Sequence, residues 1–555
     1  MKLRFLPVIF SFLFLSMSYG QQTVGVFLND SLSENGYTLF TVRNNTYLID
    51  NCGFLINSWE SEFSPGLSVY LLDNGNLLRT ARVPGSFNGG GIGGRFELYN
   101  WEGDLLWSYN YANSDYHHHH DIAPMPNGNI LLIAWEKISY MEAVTSGRDP
   151  NETPTAGVWP DKVVEIEMVG SDDANIVWEW RMWDHLIQDF DSSKENYGVV
   201  ADHPELLDVN YEAYANTGPG DSGSDWMHCN AIDYHPDLDQ IVLSSRHLDE
   251  IWIIDHSTTT EEAAGHTGGN SGKGGDILYR YGNPVAYDHG VVIDQKFFGQ
   301  HDVKWIPEGY PNAGKISVFN NGQGRQGGNY SSIDVIDPPV DAAGNYIYET
   351  GVAYGPEELF WTYEADPPES FYSSNISGAH FLPNGSVLVC DGNAPLFFEV
   401  DLDGEIHWEY VNPVLNNGSP VTQGSSQQTA DVFRATRYPL NYSAFTGKDL
   451  TPGDPIENNP FGYDCQIYDG ISSTSDLQLA EAGFQLFPNP VSTILNISWE
   501  GNEPIELFIH DLLGQVVEQQ TVSPGSSQLD LSDWANGVYL LNINGLGVKR
   551  IIVAK

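Results

Sequence analysis

Short runs of apolar residues separated by turn residues dominate the chain, and no long segment repeats its apolar positions every 3.6 residues. A typical stretch, "DIAPMPNGNILLIAWEK" at 121–137, reads as a strand, a Pro-Asn-Gly turn and a second, apolar strand. Gly and Pro are frequent between such runs, as they are in chains built of short strands and turns. The pattern predicts an all-β protein.

The same unit recurs with uneven insertions. Each copy combines a strand, a turn of the Pro-Asn-Gly kind, a buried strand and a hairpin that ends in a Trp-Glu-Tyr-like aromatic strand. One unit cannot bury its apolar face alone, whereas a closed ring of units can. We therefore predict a β-propeller of five or six blades in preference to a two-sheet sandwich. The clear copies begin near residues 69, 121, 229, 301 and 380.

The two ends of the chain differ from this middle part. Residues 1–20, "MKLRFLPVIFSFLFLSMSYG", join a basic start to an apolar stretch and small residues, which predicts a secretory signal peptide. No later run is apolar enough to span a bilayer. Residues 484–555 alternate apolar and polar positions and predict a small β-sandwich. The predicted order is thus signal peptide (1–20), propeller (21–468), polar linker (469–483) and sandwich (484–555).

The predicted sandwich contains the stretches "FPNP" (487–490), "DLLGQVV" (511–517), "NGVYLLNI" (536–543) and a final "VKRIIVAK". Together these stretches resemble the C-terminal sorting domain of type IX secretion cargo. The resemblance implies that the type IX secretion machinery is a partner. It also implies a protein that is secreted or attached to the outer-membrane surface, after signal-peptide export to the periplasm.

The formal net charge is −50, and such an acidic surface repels nucleic acid and anionic membranes. With 12% aromatic and 41% hydrophobic residues the chain is not a disordered acidic tail. We therefore expect no nucleic-acid partner.

The four cysteines lack the spacing of a zinc motif and allow three disulfide pairings. One of these pairings, Cys52 with Cys465, would join the two ends of the propeller region.

Histidines recur at one position of the repeating unit. His228, His301 and His380 each stand at or just before the first strand of a unit, and the run His117–His120 takes the same place in its own unit. The first strand of every propeller blade lines the central channel, so these side chains are expected to converge at one mouth. Only 16 histidines occur in the chain, and this coincidence of position favours a functional site.

Two arginines could complete such a site. Arg325 lies on the loop after the His301 strand and is a candidate to bind an oxyanion, whereas Arg246 is interpreted as structural. A neutral imidazole can act as a nucleophile, with neighbouring groups as acid and anion clamp. Histidine also binds metals. Asp121 and Asp302 directly follow histidines, but adjacent strand residues point to opposite faces, which disfavours a metal site.

At these residues the chain resembles the arylsulfate sulfotransferases, over roughly residues 40–465. The resemblance implies a six-bladed propeller without cofactor or metal. It implies an enzyme that transfers a sulfuryl group from an aryl sulfate donor to a phenolic acceptor without a nucleotide sulfate donor, by a ping-pong reaction through a sulfohistidine. The stretches that carry it are "DWMHCNAIDYHPDLDQIVLSSRHLDEIWIID" (225–255), "GQHDVKWIP" (299–307), "FNNGQGR" (319–325) and "SGAHFLPNGSVLVCDG" (377–392).

Carried over by position, the resemblance implies that His380 is the covalent nucleophile. His228 and His301 would bind the sulfuryl oxygens and exchange a proton with the phenol oxygen, and Arg325 would stabilise charge on the sulfuryl oxygens. The residues alone do not rank the histidines. The run His117–His120 is not part of the set carried over, and its role stays open.

Two other functions remain as alternatives. The first is a propeller at the cell surface that binds a glycan or a protein without catalysis, although such a protein does not need a converging set of histidines and arginine. The second is a metal-dependent hydrolase or lyase on the same scaffold, which chelation would inactivate. Propellers host many functions, so the fold alone does not choose among the three.

Overall fold

The computed structural model describes residues 22–211, 223–461, 465–468, 484–487, 491–499, 501, 504–510, 516–532, 534–535, 537–543 and 547–553. The predicted signal peptide (1–20) and linker (469–483) lie outside these residues.

The propeller strands follow one another in short hairpins. In chain order they are β1 Gly25–Asn29, β2 Gly36–Val42, β3 Asn45–Ile49, β4 Leu55–Glu60, β5 Pro65–Leu71, β6 Leu77–Arg82, β7 Gly94–Tyr99, β8 Leu105–Asn110, β9 Tyr116–Pro124, β10 Ile130–Glu136, β11 Asp161–Val169, β12 Asp173–Arg181, β13 Leu186–Ile187 and β14 Leu207–Asp208. They continue with β15 Cys229–His235, β16 Gln240–Ser245, β17 Glu250–Asp255, β18 Tyr279–Tyr281, β19 His301–Trp305, β20 Ile316–Asn320, β21 Ser332–Ile336, β22 Trp361–Tyr363, β23 Gly378–Phe381, β24 Val387–Asp391, β25 Leu396–Val400, β26 Ile406–Val411 and β27 Ala435–Pro439.

Helices are few and short in the described chain. The α-helices are α1 Tyr140–Thr145 and α2 Thr260–Ala263. The 3-10 turns are Met182–Asp184, Val200–Asp202, Pro284–Tyr287, Val292–Asp294, Pro368–Ser370 and Ser443–Phe445.

Six antiparallel sheets form the blades of the propeller, which we number I to VI. Blade I has the strand order β27-β2-β3-β4, blade II β5-β6-β7-β8, blade III β9-β10-β11-β12, blade IV β15-β16-β17-β18 and blade V β19-β20-β21-β22. Blade VI has the order β23-β24-β25-β26-β1. Neighbouring blades contact each other through their first strands, which therefore line the centre of the ring. The predicted propeller is confirmed, with six blades.

The ring closes twice, once in blade I and once in blade VI. Strand β27, from the end of the propeller, forms the innermost strand of blade I, with Phe40 opposite Ala435. Strand β1, from its beginning, adds an outer strand to blade VI, with Val26 opposite Tyr410. The disulfide Cys52–Cys465 lies at the same junction and joins residues 413 positions apart in the chain.

The aromatic strand of the repeating unit joins each blade to the next. Trp59 of blade I donates its indole N–H to the Asn100 carbonyl of blade II at 2.8 Å, and Trp408 of blade VI donates to the Asn51 carbonyl of blade I at 2.7 Å. The tryptophans of β8 and β22 likewise donate to a backbone carbonyl of the blade that follows, and Trp178 of β12 donates to the Thr258 hydroxyl of the blade that follows. A buried indole stabilises a fold by about 3–5 kcal/mol, judged by its truncation to alanine. This geometry explains why the Trp-Glu-Tyr pattern recurs.

Carboxylates of the inner strands join the same neighbours near the channel. Asp302 accepts a hydrogen bond from the Ala379 backbone N–H of the next blade at 2.9 Å. The carboxylates of blades III and IV accept inter-blade bonds from Cys229, Ile232 and Trp305 in the same way. Buried carboxylates need such donors, and here the donors come from the neighbouring blade. The channel wall is therefore rigid where the histidines begin.

The C-terminal residues form a separate small β unit. Its two sheets have the orders β28-β29-β32 and β31-β30-β33-β34 and enclose an apolar core that includes Trp499, Leu507 and Ile551. The strands are β28 Phe484–Phe487, β29 Ile494–Trp499, β30 Ile505–His510, β31 Val516–Val522, β32 Gly525–Asp530, β33 Gly537–Ile543 and β34 Gly547–Val553. Two packed sheets agree with the predicted sandwich.

The contact of β1 with β26, which closes the ring in blade VI, includes a histidine between two carboxylates. The stability of this contact therefore depends on pH. His407 contacts Asp30 Oδ2 at 3.0 Å and Asp401 Oδ2 at 3.1 Å. Burial opposes the charged ring, but the hydrogen bonds to Asp30 and Asp401 outweigh burial and raise the pKa of His407 to about 9. Because this pKa is raised in the folded state, the stabilisation is full below the unfolded value and disappears as pH rises through about 9.

We expect His407→Gln to lower the free energy of unfolding by on the order of 1 kcal/mol at pH 6, since solvent screens the partly exposed partners. The difference from the parent protein should be close to zero at pH 10. Denaturant unfolding at both pH values measures it. An equal difference at the two values would show that the ring stabilises the fold by packing rather than by charge.

Candidate functional site

The four consecutive histidines lie on β9, the innermost strand of blade III, and all four are buried. His117 and His118 face blade II: the His118 ring lies edge-on to Phe96, and its Nδ1 accepts the Gly94 backbone N–H at 3.1 Å. These two rings therefore serve packing. His119 and His120 face the channel region instead.

Asp161, His119 and His120 form a hydrogen-bonded chain. His119 Nε2 lies 2.7 Å from Asp161 Oδ1, and His119 Nδ1 lies 2.8 Å from His120 Nδ1. A carboxylate only accepts, so the His119 proton is on Nε2 and His119 Nδ1 carries a lone pair. His120 must then donate from Nδ1, which leaves the lone pair of His120 on Nε2. We call these three residues the Asp161 relay.

His228 has the same tautomer, fixed by a different carboxylate. Its Nδ1 lies 2.5 Å from Asp225 Oδ2, while Asp225 Oδ1 accepts the Trp135 indole N–H at 3.0 Å. His228 therefore carries its lone pair on Nε2. Its ring lies edge-on to His120, with centroids 4.6 Å apart, and stacks on His247 at the same distance.

His301 repeats the arrangement with an amide in place of a carboxylate. Its Nδ1 lies 2.7 Å from Asn321 Oδ1. The Asn321 amide group donates to the carbonyls of Ser373 and Ile376, which fixes its oxygen toward the histidine. His301 is therefore protonated on Nδ1, and its Nε2 carries a lone pair.

These three imidazoles are neutral at neutral pH. Burial is the main cause that lowers the pKa of His120, His228 and His301 well below the usual histidine value. The charge of Arg246 is the next cause for His228 and His301. Arg246 donates to Gln323 Oε1 at 3.0 Å, on the loop that also carries Asn321. The Arg246 backbone N–H also donates to the His228 carbonyl at 3.3 Å, which places Arg246 next to His228. We call His120, His228 and His301 the rim histidines.

A glycine-rich loop, residues 84–94 between β6 and β7, lies against the rim histidines. Gly91 has φ +74°, and a Cβ at this position would stand 2.0 Å from His120 Cε1. A Cβ at Gly90 would stand 3.3 Å from His228 Cε1. The Gly91 carbonyl also accepts the His120 backbone N–H at 2.8 Å. Only residues without a side chain fit this close approach.

His380 lies on β23 of blade VI, among a different set of charges. Its Nε2 accepts the Arg437 backbone N–H at 3.1 Å. Burial, followed by the charges of Arg437, Lys304 and Arg434, lowers the pKa of His380 to about 3. Lys304 and Arg434 belong to a central ion network in which Arg434 pairs with Asp121 at 3.0 Å.

The same ion network also includes Asp302, the second carboxylate that directly follows a histidine. Arg434 Nε lies 2.7 Å from Asp302 Oδ1, and Tyr70 donates to Asp121 Oδ1 at 2.9 Å. Asp121 and Asp302 therefore both pair with Arg434 instead of with the histidines that precede them.

Arg325 lies on the loop between β20 and β21, and its contacts are with that loop and blade V. The guanidinium stacks over the Tyr330 ring at 4.4 Å, donates to the Ser332 hydroxyl and lies 3.9 Å from Glu364 Oε1. The loop also carries Asn321, which contacts His301, so Arg325 and the site share one segment. The Arg325 side chain itself contacts Tyr330, Ser332 and Glu364, and its guanidinium lies 5.7 Å from the ring centroid of Phe298, three residues before His301.

Of the residues proposed from sequence, His228 and His301 share one group with His120 and Arg246, whereas the contacts of His380 and Arg325 are with other residues. The sequence reasoning missed Asp225 and Asp161, which set two of the tautomers. Asp225 stands three residues before His228, so this spacing was a usable signal. Asp161 follows a loop, and no comparable spacing in the sequence connects it to a histidine.

A cavity of about 220 Å³ has Phe433 in its wall, and Phe433 separates it from the rim histidine His120. The Phe433 ring centroid lies 6.4 Å from that of His120. The cavity combines apolar wall with two arginines and is lined by Thr41, Val42, Arg43, Ser64, Pro65, Leu67, Arg82, Asn416, Ala430, Asp431 and Phe433.

Two groups among the described residues bring three metal-binding side chains together. The ligand atoms of Asp225, His228 and His247 lie within 4.8 Å of one another, next to the rim histidines. The second group is His185, His266 and Asp276, which lies elsewhere in the sequence. The trio of rim histidines does not form such a group among the described residues, so its nitrogen atoms are spread more widely than one metal ion needs.

By its fold and its site, the protein is a six-bladed propeller with neutral histidines at its channel. The sequence model of the arylsulfotransferases matches residues 26–430. Since this match covers more than half of the chain, the protein belongs to the arylsulfotransferase family. A second model, of the secretion system C-terminal sorting domain, matches residues 485–554 and indicates export to a secreted or surface location.

The other comparisons give only distant likenesses. No curated protein matches the chain. A protein of unknown function from Bacteroides caccae is 10% identical, with a TM-score of 0.38 over 73% of this chain and 99% of that one. The periplasmic gluconolactonase PpgL of Pseudomonas aeruginosa is 11% identical, with a TM-score of 0.35 over 74% and 100%. At these values neither likeness bears on function.

Among the described residues, no helix combines the length and the apolar character needed to cross a membrane.

Proposed function

We propose that this protein transfers a sulfuryl group from an aryl sulfate ester to a phenol, by a ping-pong reaction through a sulfohistidine and without a nucleotide sulfate donor. One observation carries the proposal: three buried, neutral imidazoles carry Nε2 lone pairs beside the guanidinium of Arg246. Neutral imidazoles attack electrophiles and exchange protons, and a guanidinium binds oxyanions. Membership of the arylsulfotransferase family supports the same reaction class.

The two half-reactions balance without a further reactant. A histidine lone pair forms an N–S bond while the S–O bond to the aryl group breaks, and the aryl oxide leaves with the bonding electrons. The proton released by the attacking ring passes through a neighbouring imidazole to the aryl oxide, which departs as a phenol. In the second half-reaction the acceptor phenol gives its proton back along the same route and its oxygen takes the sulfuryl group.

We assign the nucleophile to His380, in line with the resemblance. Its low pKa keeps the ring neutral, and the charges of Arg437, Lys304 and Arg434 would attract the sulfate ester. Because its Nε2 accepts the Arg437 N–H, the ring proton is on Nδ1, and the ring must release that bond before Nε2 attacks. His301 is the competing assignment, because its Nδ1 proton is bound by Asn321 and its Nε2 lone pair points away from that partner.

The rim histidines and an arginine take the remaining roles, which are sulfuryl binding, proton exchange and stabilisation of charge on the oxygens. We propose that His228 and His301 exchange the proton with the phenol oxygen through Nε2 and, once Nε2 holds that proton, donate it to the sulfuryl oxygens, with His120 as a third member that the sequence did not suggest. For the charge on the oxygens the resemblance indicates Arg325. Arg246 is the second candidate, because its charge acts directly on His228 and His301. The cavity beside Phe433 is the proposed place for an aryl ring.

Covalent labelling tests the proposal. The purified protein is treated with chelator and incubated with a chromogenic aryl sulfate, with and without a phenol, and the modified peptide is mapped. We expect dye release that increases with acceptor, and a gain of one SO₃ on the peptide that contains His380. An adduct on the His301 or His228 peptide would keep the reaction and overturn the assignment. Absence of both release and adduct across several donors would contradict the function.

A metal-dependent hydrolase is the second candidate, favoured by the proximity of Asp225, His228 and His247. In that case chelation would abolish dye release, and added Zn²⁺ would restore it. The proposed sulfuryl transfer predicts that chelated protein keeps its full rate.

A further inference from the structure

A second cluster of metal-binding side chains lies outside the channel residues described above. His185 follows the turn after β12 and is fully buried, and Asp276 is nearly so. His266 stands on the glycine-rich loop 265–275, and its side chain is 61% exposed. Residues far apart in sequence thus meet at one point that opens to solvent.

If both histidine rings are neutral, the protons of this cluster do not suffice for its contacts. His185 Nε2 lies 2.9 Å from the Ala263 carbonyl oxygen, which can only accept, so the proton of a neutral ring is on Nε2. His185 Nδ1 then carries a lone pair and lies 2.9 Å from Asp276 Oδ1. His266 Nδ1 lies 2.7 Å from the same oxygen. Two lone pairs at this distance repel each other unless a cation lies between them.

The residues around His185 hold its ring in place, as the residues around a metal ligand commonly do. A histidine ligand commonly donates its other ring N–H to a backbone carbonyl, as His185 does to Ala263. Trp180 stacks on the His185 ring at 5.8 Å and donates its indole N–H to the Gly275 carbonyl. A Cβ at Gly275 would stand 2.7 Å from His185 Nε2, so the loop passes where only glycine fits.

We propose that His185 Nδ1, His266 and Asp276 bind one divalent transition-metal ion. The three ligand atoms lie within 4.8 Å of one another, and two imidazoles with one carboxylate are a ligand set that suits Zn²⁺. The exposed His266 leaves a fourth position open to water, beside a cavity of about 680 Å³ lined in part by Trp183, Asn196, Tyr197 and His203. The ion would fasten the glycine-rich loop to blade III.

Metal titration of the full-length protein tests this site. Chelated and dialysed protein is titrated with Zn²⁺ by calorimetry, for the parent, for His266→Ala and for the control His289→Ala. His289 is also a partly exposed histidine, but its Nε2 contacts the Tyr348 hydroxyl instead of carboxylates. We expect the parent and the control to bind one more Zn²⁺ per chain than His266→Ala.

A second readout separates metal binding from mere structural packing. Zn²⁺ should raise the Tm of the parent and the control by several degrees, and that of His266→Ala by less, because an ion that binds only the folded state stabilises it. Because His266 is exposed, its replacement should leave the fold intact, which circular dichroism checks. Equal stoichiometry and equal Tm shifts in all three proteins would overturn the proposal and leave a proton between His185 and Asp276.

Discussion

Replacing Asp161 with asparagine is expected to lower kcat for sulfuryl transfer by about 100-fold or more, because it changes which nitrogen of His120 carries the proton. Asp161 accepts from His119 Nε2 with one oxygen and from the Cys229 backbone N–H at 2.7 Å with the other. An asparagine has only one accepting oxygen. If that oxygen remains with Cys229, the amide N–H₂ faces His119 Nε2.

The consequence passes along the Asp161 relay. His119 Nε2 must then accept, so its proton moves to Nδ1 and meets the Nδ1 proton of His120. The two donors repel each other, and His120 avoids this by carrying its proton on Nε2. Its lone pair no longer points into the site. We therefore expect the loss in kcat to exceed any rise in KM, since the fold and the substrate contacts are retained.

A matched control isolates the tautomer from the loss of a buried carboxylate. Asp50 is also buried and accepts backbone N–H groups, from Cys52 and Phe54 at 2.9 Å each, but it contacts no histidine. Asp50→Asn should lose stability and keep kcat within a factor of about two. If Asp161→Asn retained the parent kcat while its folding was unchanged, the relay would have no part in catalysis.

The sequence could predict most of the propeller, and the missing blade has a physical explanation. The five units counted from the sequence correspond to blades II to VI, each of which contains a complete local hairpin pattern. Blade I combines β2 to β4 with β27, from opposite ends of the propeller. Local periodicity does not report a pairing between strands so far apart in sequence. The pairing of Cys52 with Cys465 was open for the same reason, and the structure supplies it.

The site was predictable where it depends on position in the repeat. His228 and His301 could be proposed because inner strands converge, and the structure places both at the rim. Arg246 was interpreted as structural from sequence, yet its charge acts on both histidines. The direction of a loop arginine such as Arg325 depends on tertiary contacts, here Tyr330 and Glu364, that the local sequence does not encode.

The run of glycines at 88–94 is part of the site, and the spacing of apolar residues does not report this. The stretch "NGGGIGG" at 88–94 reads as a flexible loop from composition alone. In the structure a Cβ at Gly91 would collide with the His120 ring, and a Cβ at Gly90 would make a tight contact with His228. A short polar loop is therefore part of the wall that orients the rim histidines.

Replacing Gly91 with alanine is accordingly expected to reduce kcat/KM by about tenfold to 100-fold. The new Cβ would stand 2.0 Å from His120 Cε1, so the imidazole must move by more than 1 Å, and misplacement of this size costs catalysis about 100-fold. The substitution also places alanine at φ +74°, which destabilises the fold by about 1 kcal/mol. Rates with an aryl sulfate and a phenol, together with the Tm, measure both effects.

Gly103→Ala is the matched control for the backbone cost. Gly103 has φ +89° in the turn between β7 and β8, and a Cβ there would meet nothing within 4 Å. Both variants should lose the stability that forcing alanine into the left-handed region costs, and Gly91→Ala should lose more, because its Cβ also collides with the buried His120 ring. Only Gly91→Ala should lose activity, since only its side chain displaces a rim histidine. Equal activity in the two variants would mean that the position of His120 does not matter for transfer, and would remove the relay and the glycine-rich loop from the mechanism together.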